Sequence, residues 1–134
     1  MTSLVKVAVG LLLSIGHLYP AYKVPTSPPQ IKVDGFSAIE HDCGRLVTGC
    51  FLVVKQAHHR HGVVVLRKKV ARNNYKRKVV LIHELVHWVQ FKNGYDFSKR
   101  SVRECLEREA TYAESIVVHH ELIDPYYAAR GNTC

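Results

Sequence analysis

No apolar run in this chain reaches the roughly 20 residues that a membrane-spanning helix needs; the N-terminal stretch Val7–Ile15 behind Lys6 falls well short. Internal repeats are absent, which excludes a solenoid or propeller. The four cysteines, Cys43, Cys50, Cys105 and Cys134, include no CxxC pair of the kind that builds a cysteine metal site. No nucleic-acid fold motif is present, and proline clusters once only, at Val24-Pro25-Thr26-Ser27-Pro28-Pro29. Acidic residues are scarce: 11 Asp and Glu against 19 Lys and Arg leave a formal charge of +8. At 134 residues the chain makes one domain, large enough to bury a core without staples.

What is present is concentrated in His83-Glu84-Leu85-Val86-His87, an HExxH box inside the apolar segment Val79–Phe91. Val79, Ile82, Val86 and Val89 recur at helical spacing and Gly94 supplies a stop. Positions four apart share a helix face, so both imidazoles reach one metal ion while Glu84 points toward the remaining coordination sites. The box therefore predicts a zinc hydrolase, although cobalt or manganese suits the same ligands.

Catalytic zinc usually takes three protein ligands and leaves one position open. A second helical pattern runs from Val102 to Leu122, with Leu106, Ala110, Ala113 and Val117 in its stripe. Glu109 lies beside that stripe and is the expected third ligand. Its competitor Glu107 falls about 160° from the stripe direction and is expected to face solvent.

The box followed by Glu109-Ala110 on a later helix resembles the gluzincin metallopeptidases typified by thermolysin. More closely, the run Leu81–Gln90, then Cys105, Glu107-Arg108-Glu109-Ala110 and Tyr112, is similar to small bacterial and phage proteins with HELVH-x-x-Q boxes, over about residues 40 to 122. The resemblance implies an α+β fold: a minimal zincin-like domain, with a small antiparallel or mixed sheet packed on the HExxH helix and a second ligand-bearing helix. It implies a zinc metallopeptidase hydrolysing peptide bonds, with His83, His87 and Glu109 on one Zn2+ and Glu84 as general base and then general acid. Candidate donors to the transition state are His119, His120, Tyr126 and Tyr127. The chain lacks the Asn-Glu-x-x-x-Asp pattern of thermolysin-like enzymes, so no residue is assigned behind the histidines.

Phe51–Lys55 and Gly62–Arg67 read as β-strands around a polar turn, Gln56–His61. The 62–67 strand is the candidate to lie beside the active-site helix and accept a peptide or protein substrate as an added strand, with an ordinary core strand of the sheet as the equal alternative. His58-His59-Arg60-His61 reads as a solvated turn rather than a metal site. Residues 1–22 read as a signal peptide or N-terminal apolar segment, 23–34 as a Pro-rich extended linker and 35–134 as the zincin-like domain, so export or secretion is expected, with a cytoplasmic or virion-associated protein as the alternative. The four cysteines allow three pairings; Cys43–Cys50 would close a small loop, and Cys105–Cys134 would tie the C-terminal tail to the Glu109 helix. In the cytosol they would be free thiols.

The basic runs Arg67-Lys68-Lys69, Arg72, Lys76-Arg77-Lys78 and Lys99-Arg100 support a second class of function. A basic, non-catalytic module would bind nucleic acid or an anionic surface, with the HExxH structural or accidental.

Overall fold

The apolar run Val63–Leu66 is continuous rather than alternating, a pattern suited to a strand covered on both faces. In the structure, a computed structural model describing residues 2–34, 43–44, 47–120 and 134, this run lies in β3 (His59–Arg67) at the centre of a three-stranded sheet. Strand β2 (Gly49–Gln56) pairs antiparallel with it, Gly49 opposite Leu66 and Gln56 opposite His59. Strand β1 (Gln30–Asp34) pairs parallel on the other side, Gln30 opposite Val63 and Asp34 opposite Arg67. Val64 and Leu66 enter the main core, whereas Val63 and Val65 pack with Cys50, Leu52 and Val54 on the opposite face.

Two expectations give way here. The 62–67 strand has no edge to offer a substrate, because Val63 to Leu66 are paired with β1 on one side and β2 on the other. An all-apolar run gains most at the centre of a sheet, where both faces are covered. Nor is 23–34 simply a linker: Gln30–Asp34 is β1, the Trp88 indole N–H donates to the Ser27 carbonyl, and Asn93 brackets the Lys23 backbone with two hydrogen bonds. The expected hairpin forms with a tighter turn at Ala57-His58, Ala57 taking a φ of 52°.

The helices are α1 (Thr2–Leu18), α2 (Lys68–Ala71), α3 (Asn74–Lys92) and α4 (Arg100–His120). Asn73 caps α3, its side-chain oxygen accepting from the amides of Tyr75 and Lys76. At the other end Gly94 takes a φ of 88°, the left-handed conformation that commonly closes a helix. From Leu81 to Gln90 α3 is buried nearly all round: Leu81, Ile82, Leu85, Val86 and Val89 are fully enclosed, and Trp88 and Gln90 are buried beside them. A helix so enclosed must be covered on every side, here by α1, α4 and the sheet. Gly62 permits the closest approach: a Cβ there would meet Phe51 Cε1 at 2.6 Å and Trp88 Cε3 at 2.7 Å.

The N-terminal apolar segment is part of this arrangement. Leu4, Ala8, Leu11, Leu12, Ile15 and Leu18 form the buried face of α1, and the same core continues into Tyr19 and Tyr22. Among the described residues no helix is long and apolar enough to cross a membrane. Disulfides join Cys43 to Cys50 and Cys105 to Cys134; both are compatible with an exported protein. The architecture is thus mixed α+β, a small sheet against helices, with α3 at its centre.

Candidate metal centre

Burial of α3 leaves one gap, over its middle turn. His83 and His87 project into it from adjacent turns with ring centroids 5.1 Å apart, and Glu84 lies between them at 7 % exposure. Ligand atoms of His83, Glu84 and His87 come within 4.8 Å of one another, a group able to hold a metal ion. Glu84 Oε2 is buried without a hydrogen-bond partner. Such an orphaned carboxylate oxygen is costly unless something polar or charged reaches it.

The acid that meets the histidines is Glu107. His83 Nε2 donates to Glu107 Oε1 at 2.6 Å, and His87 Nε2 lies 3.0 Å from Glu107 Oε2. Glu109, the expected ligand, is not brought to the imidazoles. It is buried one turn of side chains away, where its carboxylate accepts from the Tyr22 hydroxyl, from Gln90 Nε2 at 2.9 Å and from the Cys134 amide at 3.0 Å. The reason lies in the assumption that a ligand follows the buried stripe. Glu107 does face solvent, its side chain 58 % exposed, but the gap into which the two imidazoles project itself opens to solvent, and a residue on the flank of α4 reaches its mouth.

The remaining candidates fall elsewhere. His119 is exposed near the end of α4, about 18 Å along the helix from Glu107 at 1.5 Å per residue, and lines neither pocket beside Glu84. The His120 side chain, Tyr126 and Tyr127 lie outside the described residues. His59, exposed, and His61, half-buried, lie on β3 and join no metal-capable group among the described residues.

The local charges are strongly coupled. Burial by itself lowers the His83 pKa, but the hydrogen bond that His83 donates to Glu107 and the negative charges of Glu84, Glu107 and Glu114 outweigh it and raise the value above 6.5. Burial raises Glu84, against the opposing pull of the two imidazoles. Glu107 is held well below the usual carboxylate range by its hydrogen bonds to His83 and His87.

Two pockets flank Glu84 and Glu107. On the His87 side the walls are Cys50, Phe51, Phe97, Arg103 and Leu106, with the Phe97 ring edge-on to His87 at 5.8 Å. On the His83 side they are Val47, Thr48, Gly49, Val80 and Glu114. Strand β2, not β3, therefore supplies the strand residues beside the centre. Phe97 and Arg103 carried no sequence signal, since both stand outside the periodic stripes. Gln90 did stand at a fixed offset from the box, but its role appears only in the fold.

Comparison with protein-family models, with curated proteins and with solved structures returned no match for this chain.

Proposed function

We propose that this protein is a zinc-dependent hydrolase of peptide bonds, its metal held by His83, His87 and Glu107 and its proton transfers carried out by Glu84. One observation carries the reading: both carboxylate oxygens of Glu107 meet the Nε2 atoms of the two HExxH histidines, while Glu84 turns an unpartnered buried oxygen toward the same place. Two imidazoles and a carboxylate are the donor set of a catalytic rather than a structural zinc site. When bound, zinc polarises the scissile carbonyl and acidifies a water molecule. Glu84 would accept the proton of that water and deliver it to the departing amine, and its burial, which raises its pKa, favours uptake of that proton. Phe51, Phe97 and Arg103 offer an apolar wall with one cation for the substrate side chain on the His87 side.

The test is zinc content of purified protein by elemental mass spectrometry, alongside His83→Ala, Glu107→Gln and Glu109→Gln. Close to one equivalent in the parent, lost in His83→Ala and Glu107→Gln and retained in Glu109→Gln, is the expected result. No zinc in the parent under metal-replete conditions overturns the proposal.

A second reading has its own observation. Between Asp42 and Glu84 the chain carries no acidic residue, and the fold gathers Lys68, Lys69, Arg72, Lys76 and Lys78, all exposed, around α2 and the start of α3, with Tyr75 52 % exposed among them. Lys76 to Lys78 oppose the helix dipole there. This corner suits a polyanion. Glu84→Gln separates the readings: it should abolish hydrolysis with zinc retained, and leave polyanion binding unchanged.

A further inference from the structure

The side chains behind His87 form a connected, buried set that the metal ligands alone do not explain. Gln90 is fully enclosed. Its Nε2 lies 3.0 Å from the Leu106 carbonyl and 2.9 Å from Glu109 Oε1, and its Oε1 lies 2.8 Å from His87 Nδ1. A backbone carbonyl only accepts, so the Gln90 atom facing Leu106 must be the NH2 group. That leaves the amide oxygen facing His87, and an oxygen there requires hydrogen on Nδ1. Nδ1 of His87 therefore carries hydrogen, so that when the imidazole is neutral it is the Nδ1–H tautomer and Nε2, on the side where Glu107 lies, is the nitrogen left to bind metal.

Glu109 holds the amide in this orientation. Its carboxylate accepts from Gln90 and from the Tyr22 hydroxyl on one oxygen and from the Cys134 amide on the other, while its own peptide carbonyl accepts from the Tyr19 hydroxyl at 2.8 Å. Turning the Gln90 amide over would set its oxygen against both Glu109 and the Leu106 carbonyl. Three parts of the chain meet here: the segment after α1, α4, and the C-terminal cysteine bonded to Cys105.

We infer that Gln90 and Glu109 are positioning residues, a relay from Tyr22 through Glu109 and Gln90 to His87 that selects the metal-binding nitrogen of that histidine. The inference rests on the proposed metal centre for its purpose, but not for its geometry. Outer partners of this kind orient metal-bound histidines, and their loss typically costs 10- to 100-fold in metal affinity. Here an amide stands between imidazole and carboxylate, so the carboxylate acts at one remove.

Two readouts test this. The first is the His87 tautomer by long-range 1H–15N correlation NMR, on metal-free Glu107→Ala protein at alkaline pH, where no carboxylate competes at Nε2 and the imidazole is neutral. Nδ1–H is expected, although free imidazole side chains favour the other tautomer; Nε2–H at His87 overturns the inference. Adding Gln90→Met should release the preference. The second is zinc affinity by competition with a chromophoric chelator in otherwise native protein. A fall of about 10- to 100-fold is expected in folded Gln90→Met, with a smaller fall in Tyr22→Phe, which stands far enough away to spare the fold if Gln90→Met unfolds. Unchanged affinity in both variants, or in Tyr22→Phe alone should Gln90→Met not fold, overturns the inference. A parent that binds no zinc but shows Nδ1–H defeats the proposed function and leaves the relay standing.

Discussion

Glu84, His83 and Glu107 titrate as a group, and their shifts oppose one another in sign across the pH scale. In metal-free protein the raised His83 value means that its protonated form is stabilised by folding; this contribution is complete below the ordinary value of 6.5 and is lost as pH rises through the folded one. Glu84, raised mainly by burial, behaves the same way. Glu107, lowered by its bonds to His83 and His87, contributes above its ordinary 4.5 and loses that contribution as pH falls through the folded value. Metal-free protein should therefore be most stable in mild acid and lose stability toward alkaline pH. Zinc competes with the same protons, so zinc should stabilise more as pH rises. Thermal unfolding with chelator and with zinc across pH checks both directions; two parallel curves would count against a site at these residues. At this scale the HExxH box was legible because a four-residue spacing survives any tertiary arrangement. That Glu107 rather than Glu109 meets the two imidazoles was not, because it depends on where α4 crosses α3 and which flank meets the opening.

Among the elements, α1 and the C-terminal disulfide make the plainest tests. Leu12 is 2 % exposed in the core that α1 shares with α3. Leu12→Ala should cost about 2 to 5 kcal/mol, the range for removing a well-packed leucine side chain, read by urea unfolding of the full chain. A loss near zero would mean that α1 does not pack as described, which is what a leader segment standing apart from the domain predicts. Opening Cys105–Cys134, across a separation of 29 residues, should cost about 3 to 4 kcal/mol in the chain-entropy account. Because the Cys134 amide donates to Glu109, Cys134→Ser should also weaken zinc binding, measured by chelator competition, and unchanged affinity would separate the tail from the metal centre. The α3 helix, the α4 helix and the β2–β3 hairpin were all legible from periodicity and turn residues. The strand β1 was not: Gln30–Asp34 follows two prolines and carries charges at Lys32 and Asp34, and only its pairing with β3 makes it a strand. Nor could the apolar pattern of residues 1–22 say by itself that this segment packs on α3, since a leader is rich in leucine and valine in the same way.

Over the whole molecule charge is segregated, and this decides how the two functional readings relate. Acidic Glu104, Glu107, Glu109 and Glu114 belong to α4, whereas the stretch from Cys43 to His83 has cations only. The basic corner lies at the N-terminal end of α3 and the His83-Glu84-His87 group able to hold a metal ion on its middle turns, so one helix carries both. A polyanion could therefore dock without entering the pocket, and the functions are not mutually exclusive. The corner makes its own quantitative prediction. If Lys76 and Lys78 each contact a phosphate of duplex DNA, log K should fall linearly with log salt, and the double substitution Lys76→Gln/Lys78→Gln should flatten that slope by about 1.8, or 0.9 per lost contact. Both side chains are exposed, so the variant should keep its stability and its zinc. Binding that is insensitive to salt, or a slope unchanged by the double substitution, would leave the corner as a solvated face and the proposed metal centre as the reading still to be tested.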